Sequence, residues 1–175
     1  MPQASLELAS VAQLIGQLWL REIDQTTLDA MGTKPFRETY EELGGFIPEP
    51  NESLMDELAV EYCVLLIGPK GQLSPVQSVW QSNQFQSETS SSMKQYFELL
   101  PNYEPGSSLP DHIGVQLDFL SHLLRQPDEA TDEIVRQFVQ SHLQWSSVFL
   151  AQVQQRESKF YQGLARVTDG LINSI

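Results

Sequence analysis

Asn51-Glu52-Ser53-Leu54-Met55-Asp56-Glu57-Leu58-Ala59-Val60-Glu61-Tyr62-Cys63-Val64-Leu65-Leu66-Ile67-Gly68-Pro69 is the stretch whose reading decides the fold. Leu54, Leu58, Tyr62 and Leu65 recur at steps of four, four and three, the spacing that places side chains on one face of an α-helix. Asn51 is a natural cap for such a helix, because its side-chain oxygen can accept a first-turn amide. Gly68-Pro69 ends it, since proline disfavours helical geometry in the residue before it. Residues 68–77 then form a loop with Gly68, Pro69, Gly71 and Pro75, leading to Val79-Trp80. A helix that stops abruptly and hands over to an apolar-lined loop suits peptide binding better than catalysis.

The same period runs outward in both directions. Leu8, Val11, Ile15, Leu18 and Trp19 form one stripe of a first helix. Thr26-Thr27-Leu28 opens a short second helix closed by Gly32. Pro35 suits the first turn of a third over Phe36–Leu43, with Gly44-Gly45 at its end. Met93, Tyr96, Phe97 and Leu100 repeat the signature until Pro101 breaks it. The stretch 101–110 is turn-rich, with three prolines and a glycine. Helices are then expected over about 111–125, 129–143 and 146–172. The last carries Phe149, Val153, Phe160, Leu164, Val167 and Leu171, with a polar gap at Arg156-Glu157. No segment alternates with the period of two that a strand requires. The expectation is an all-α chain, one helical domain over 1–175.

Bulk chemistry narrows the function classes. The 175 residues carry 23 acidic and 10 basic side chains, a formal net charge of -13. Such a surface repels nucleic acid and anionic membranes and attracts cationic partners over roughly 8–10 Å at physiological salt. Cys63 is the single cysteine, so an intramolecular disulfide and a multi-cysteine zinc site are both excluded. Its apolar neighbours suit an inert core thiol. The first basic residue is Arg21, so the beginning lacks secretory character. The longest apolar run, Tyr62–Ile67, is far short of the roughly 20 residues a membrane helix needs. A cytoplasmic location without membrane insertion is the expectation.

Motifs for catalysis and metal binding are weak. Gly68-Pro69-Lys70-Gly71 shares glycines and a lysine with phosphate loops, but lacks the four-residue spacer, the Lys-Ser/Thr pair and the preceding strand. His112 and His122 are ten residues apart, which turns them about 80° from each other on a helix. No His-x-x-x-His or Glu-x-x-His occurs. His122 and His142 therefore read as solvated or core-edge side chains. Asp111-His112 resembles an acid–base pair, yet adjacent helical residues do not face each other. After Pro110, Asp111 suits an N-cap whose carboxylate accepts amides of its own helix's first turn. A cation in that turn opposes the helix dipole, so His112 is expected neutral.

Two signatures at these positions resemble those of the TorD/DmsD/NarJ-type redox-enzyme maturation chaperones, particularly the TorD/DmsD branch. One is Glu61-Tyr62-x-x-Leu65-Leu66-Ile67-Gly68-Pro69, with Pro75 and Ser78-Val79-Trp80 downstream. The other is Pro110-Asp111-His112-Ile113-Gly114-x-x-Leu117, with Phe119 and Leu120 on the next turn. Their order, their separation and the helical pattern from Ser5 to Ile172 match the family along nearly the whole chain. The resemblance implies a TorD/DmsD-like helical bundle without catalytic activity. It implies a chaperone that binds the twin-arginine leader of a molybdenum-cofactor oxidoreductase and holds the apoenzyme until cofactor is inserted and export is permitted. Carried across by position, Leu65, Leu66, Pro69, Pro75, Trp80, Asp111 and His112 would line the leader-binding region. This chain departs from the pattern in having Leu66 where an aromatic is usual and Val76 where some relatives carry tryptophan. It also has Gln77 and Gln116 where glutamate is frequent, and Trp80 where tyrosine is common. The resemblance extends to some members that bind guanine nucleotide; no cofactor is otherwise implied.

Physical chemistry supports a peptide ligand of that kind. A twin-arginine leader joins a basic segment to an apolar one; the acidic surface would steer the first. Apolar surface at the helix end would bury the second, at about 25 cal/mol per Å². Leu65 also shares the Leu58/Tyr62 stripe and reads first as core, and Trp80 as either core or interface anchor. Two other readings remain at this level: a nucleotide-binding or hydrolysing protein using Gly68–Gly71 with Asp111 and His112, and a helical module for some other partner. A monomer and a domain-swapped dimer hinged at 101–110 are both compatible with such a chain.

Overall fold

A computed structural model describes residues 3–126 and 129–175. Among the described residues ten α-helices follow in chain order: α1 Gln3–Leu20, α2 Gln25–Met31, α3 Lys34–Glu42, α4 Leu54–Tyr62, α5 Gln77–Ser82, α6 Glu88–Phe97, α7 Ile113–Leu124, α8 Glu129–His142, α9 Ser146–Val153 and α10 Lys159–Asn173. Among the described residues no β-strand forms. Local chemistry explains most boundaries. The Asp24 carboxylate accepts from Thr27 N at 2.7 Å and starts α2, Pro35 lies in the first turn of α3, and Ser87 caps α6 through Thr89 N.

The tightest packing is between α1 and α7, and two glycines permit it. A Cβ on Gly114 would sit 2.5 Å from Leu20 Cγ and 2.6 Å from Gly16 O; one on Gly16 would meet Gly114 O at 2.8 Å. The two backbones therefore touch, which gives Gly114 of the second signature a steric reason. Trp19 carries α1 into the rest of the core. Its ring meets Phe149 edge-on at 5.2 Å and lies 6.2 Å from Tyr161. Its Nε1 donates to Thr168 Oγ1 at 3.0 Å, so the indole is buried without an orphaned donor. A continuous buried apolar cluster runs from Ala12 in α1 to Ile172 in α10.

Three expectations change. The helix expected over 146–172 is two helices: the chain turns at Gln154–Ser158, Ser158 becomes extended, and its Oγ accepts from Tyr161 N at 3.2 Å to begin α10. The polar Arg156-Glu157 gap marks that break. Residues 77–82, expected only as the far side of a loop, form the short helix α5. Asn51 accepts from Ser53 N in a local turn, and α4 itself begins at Leu54. The 101–110 connection is anchored by Tyr103, whose ring lies 5.1 Å from those of Phe97, Phe119 and His122.

Candidate functional site

The apolar stripe of α4 folds inward as its spacing requires, with Leu54, Leu58, Tyr62 and Leu65 all buried. At Cys63–Ile67 the helix widens into a π-helical turn, closed by Gly68 N donating to Cys63 O at 2.6 Å. Such turns are rare and frequent at functional sites. The outer face is apolar too: Val60, Val64 and Ile67 are 61%, 64% and 62% exposed. Cys63 is exposed on this surface rather than in the core, its thiol directed at Glu22 Oε1 at 3.7 Å. The sequence expectation for the thiol fails because Cys63 lies about 100° around the helix from Tyr62 and about 160° from Leu65, off the buried stripe.

Beyond Gly68 the chain returns across the helix end. Leu73 N donates to Leu65 O at 2.7 Å, and Trp80 Nε1 donates to Ser74 O at 2.6 Å. The loop then meets the second signature directly. Val76 and His112 form an antiparallel bridge, with Ile113 N donating to Pro75 O at 2.8 Å and Gln77 N to Asp111 O at 3.0 Å. Segments more than thirty residues apart in sequence thus build one structure.

Asp111 locks it. Its fully buried carboxylate accepts from Ser78 N at 2.8 Å, Ser90 Oγ at 2.7 Å and Thr89 Oγ1 at 3.2 Å. Burial alone would raise this carboxyl, but hydrogen bonds from Ser78 and Ser90 outweigh it and hold it below the ordinary carboxylate range. Asp111 therefore caps α5 and ties down the start of α6, rather than capping its own helix. The cap of α7 is His112, whose Nδ1 accepts from Gly114 N at 3.0 Å. Burial lowers His112 to about 4, so the ring is neutral at pH 7 with its proton on Nε2. Asp111 is thus taken up by backbone and hydroxyl donors and His112 Nδ1 by a backbone amide, so the two side chains are not paired with each other.

A second buried network lies behind α5, and nothing in the sequence signals it. Gln116 Nε2 donates to Gln77 Oε1 at 2.7 Å, and Trp145 Nε1 donates to Gln116 Oε1 at 3.0 Å. Gln77 Nε2 donates to Ser141 O at 2.8 Å. His142 is buried, not core-edge; its Nδ1 is 3.0 Å from Gln77 Oε1 and its Nε2 3.0 Å from Ser92 Oγ. Because Gln77 Oε1 only accepts, the imidazole proton sits on Nδ1 and Ser92 donates to Nε2. Burial lowers His142 to about 4, so it too is neutral. The two positions that carry glutamine where glutamate is frequent are therefore partners in one bond. An amide at both suits a site where two buried carboxylates would have to share a proton.

The residues expected to line a peptide site divide into two groups. Leu65, Leu66, Asp111 and His112 are buried, and they shape the platform from beneath. Pro69 is exposed, while Pro75 and Trp80 are half-buried, Trp80 packing edge-on against Phe149 at 6.1 Å. Beside them an open groove of about 720 Å³ runs between α4 with its π-turn and the α9–α10 turn, floored by Val60, Val64 and Leu65. Two bonds hold its walls. Arg156 Nη2 donates to Gly71 O at 2.9 Å, and Ser158 Oγ donates to the Glu61 carboxylate. Among the described residues no cluster of three His, Cys, Asp or Glu side chains is placed to hold a metal ion.

Comparison with known proteins bears directly on this architecture. The family model for the nitrate reductase delta subunit matches residues 30–154, a span that contains both signatures and the groove's α4 wall. The chain belongs to that family. Chaperone protein TorD of Shewanella pealeana is 26% identical over 95% of this chain and 86% of its own length. TorD of Shewanella sp. strain ANA-3 is 26% identical over 91% and 88%. The fold matches a crystal structure described as a redox enzyme maturation protein of Archaeoglobus fulgidus, with TM-score 0.63, 21% identity and coverage of 99% and 96%. No described helix of this family member is long and apolar enough to cross a membrane.

Proposed function

We propose that this protein is a redox-enzyme maturation chaperone and not an enzyme. Its client is the catalytic subunit of a molybdenum-cofactor oxidoreductase, recognised in the cytoplasm through its twin-arginine leader and held until cofactor is inserted. Membership of the nitrate reductase delta subunit family and likeness to the two TorD chaperones support the role. One observation carries the leader reading. The Asp111 clamp presses the 68–77 loop onto the helical body, leaving a preformed surface at Pro69, Pro75 and Trp80 beside exposed apolar side chains. A preorganised apolar surface on a strongly acidic protein fits a ligand that is both basic and apolar.

Capture from the native host tests this. The tagged chain should co-purify with a molybdenum-cofactor oxidoreductase subunit that retains its leader, identified by mass spectrometry. Recovery of that subunit in equal yield after deletion of its leader would contradict the leader reading. Recovery of no oxidoreductase would contradict the chaperone reading.

A further inference from the structure

The groove along α4 is polarised. Ser158 bonds to Glu61 and Arg156 to Gly71, so the 156–158 turn runs antiparallel to the 61–71 segment across the opening. One end of the groove is therefore marked by Glu61 and the other by Lys70 and Arg156, with Glu157 on the turn between Arg156 and Ser158; Glu57 lies one helical turn before Glu61, beyond the groove's lining. Between them lie Val60 and Val64, one helical turn apart and open to solvent. These valines belong to a helix whose opposite face already fills the core, so intramolecular packing does not account for them.

We infer that a basic–apolar client segment lies in this groove in one direction only, arginines at the Glu57/Glu61 end and apolar residues over Val60 and Val64 toward Lys70 and Arg156. The inference rests on the leader reading and adds to it a place and a polarity. Charge complementarity sets the direction: like charges meet if the segment is reversed, since its arginines then face Lys70 and Arg156. Length is consistent as well. From Glu57 to Ile67 the helix advances about 15 Å at 1.5 Å per residue. That span takes roughly two to three turns of a helical ligand or about four to five extended residues.

The test uses the full chain and two synthetic peptides of one composition. One carries two adjacent arginines ahead of a leucine- and alanine-rich segment; the other carries them after it. Fluorescence anisotropy should show the arginine-first peptide binding about tenfold or more tightly than its reverse. Val64→Asp and Glu57→Lys should each weaken it about tenfold, and Leu6→Asp, at an exposed apolar position on α1, should leave it unchanged. Equal binding of both orders overturns the direction. Unchanged affinity in Val64→Asp and Glu57→Lys overturns the groove while leaving the leader reading intact. Failure of the unaltered protein to bind either peptide overturns the leader reading itself.

Discussion

Asp111→Ala should damage the fold before it damages recognition. The carboxylate is fully buried and accepts three hydrogen bonds, one from the backbone of α5 and two from hydroxyls at the start of α6. Bonds to a charged acceptor are worth about 1.5–3 kcal/mol each, and a buried donor left without a partner costs about 1–3 kcal/mol. Ser78 N and Ser90 Oγ would both be stranded, with Thr89 better able to turn to water. The expected loss is about 3–5 kcal/mol, a large fraction of the ~5–15 kcal/mol that holds a typical domain together. For a chain of 175 residues, each kcal/mol lowers Tm by about 2–4 °C, so Tm should fall by about 6–20 °C. Thermal and urea unfolding followed by circular dichroism measure it, with Pro69→Ala as the exposed comparison, expected within about 0.5 kcal/mol of the parent. If Asp111→Ala keeps its Tm within about 2 °C and instead loses peptide affinity, the clamp reasoning is refuted and Asp111 contacts ligand.

The same packing sets other expectations. His112 and His142 are each lowered to about 4 in the folded state, against about 6.5 unfolded. The unfolded chain therefore binds more protons between these values, and stability falls as pH drops from about 6.5 toward 4, by roughly 2–3 kcal/mol for each histidine. The lowered Asp111 carboxyl adds a further loss at still lower pH. Urea midpoints measured from pH 8 to pH 4 should show this, and His142→Gln should flatten part of the slope. Gly114→Ala should destabilise by at least about 1–3 kcal/mol, because its Cβ meets Leu20 and the Gly16 carbonyl with no room to yield; thermal unfolding reports it. Gln77→Leu strands Gln116 Nε2 and the Nδ1 proton of His142, and should cost about 2–4 kcal/mol in urea unfolding.

Helix existence is legible wherever an apolar stripe is long, as in α1, α4 and α10, because burial of one face leaves a period in the sequence. Breaks are less legible. Phe149, Val153, Phe160 and Leu164 keep an apparent single period across 154–158, although the chain stops and restarts there at Ser158. The juxtaposition of the two signatures needs the structure, since the Val76–His112 bridge links residues with no local signal for each other. Asp111 misleads for a specific reason: aspartate after proline suits its own helix's cap, but a histidine nitrogen takes that place and frees the carboxylate for α5. The Gln77–Gln116–His142–Trp145 network leaves no pattern, because buried amides pair through tertiary packing and not through spacing. The outward apolar face at Val60, Val64 and Ile67 follows from the same period that turns Leu58, Tyr62 and Leu65 inward, whereas the π-turn at Cys63–Ile67 leaves no pattern.

The most direct measurement is a calorimetric titration of the purified chain with the twin-arginine leader of a molybdenum-cofactor oxidoreductase from its own host, at low and high salt. The expected result is saturable binding of the leader, weaker at high salt because an acidic surface draws its arginines. No heat and no saturation with any such leader from that host would contradict the account.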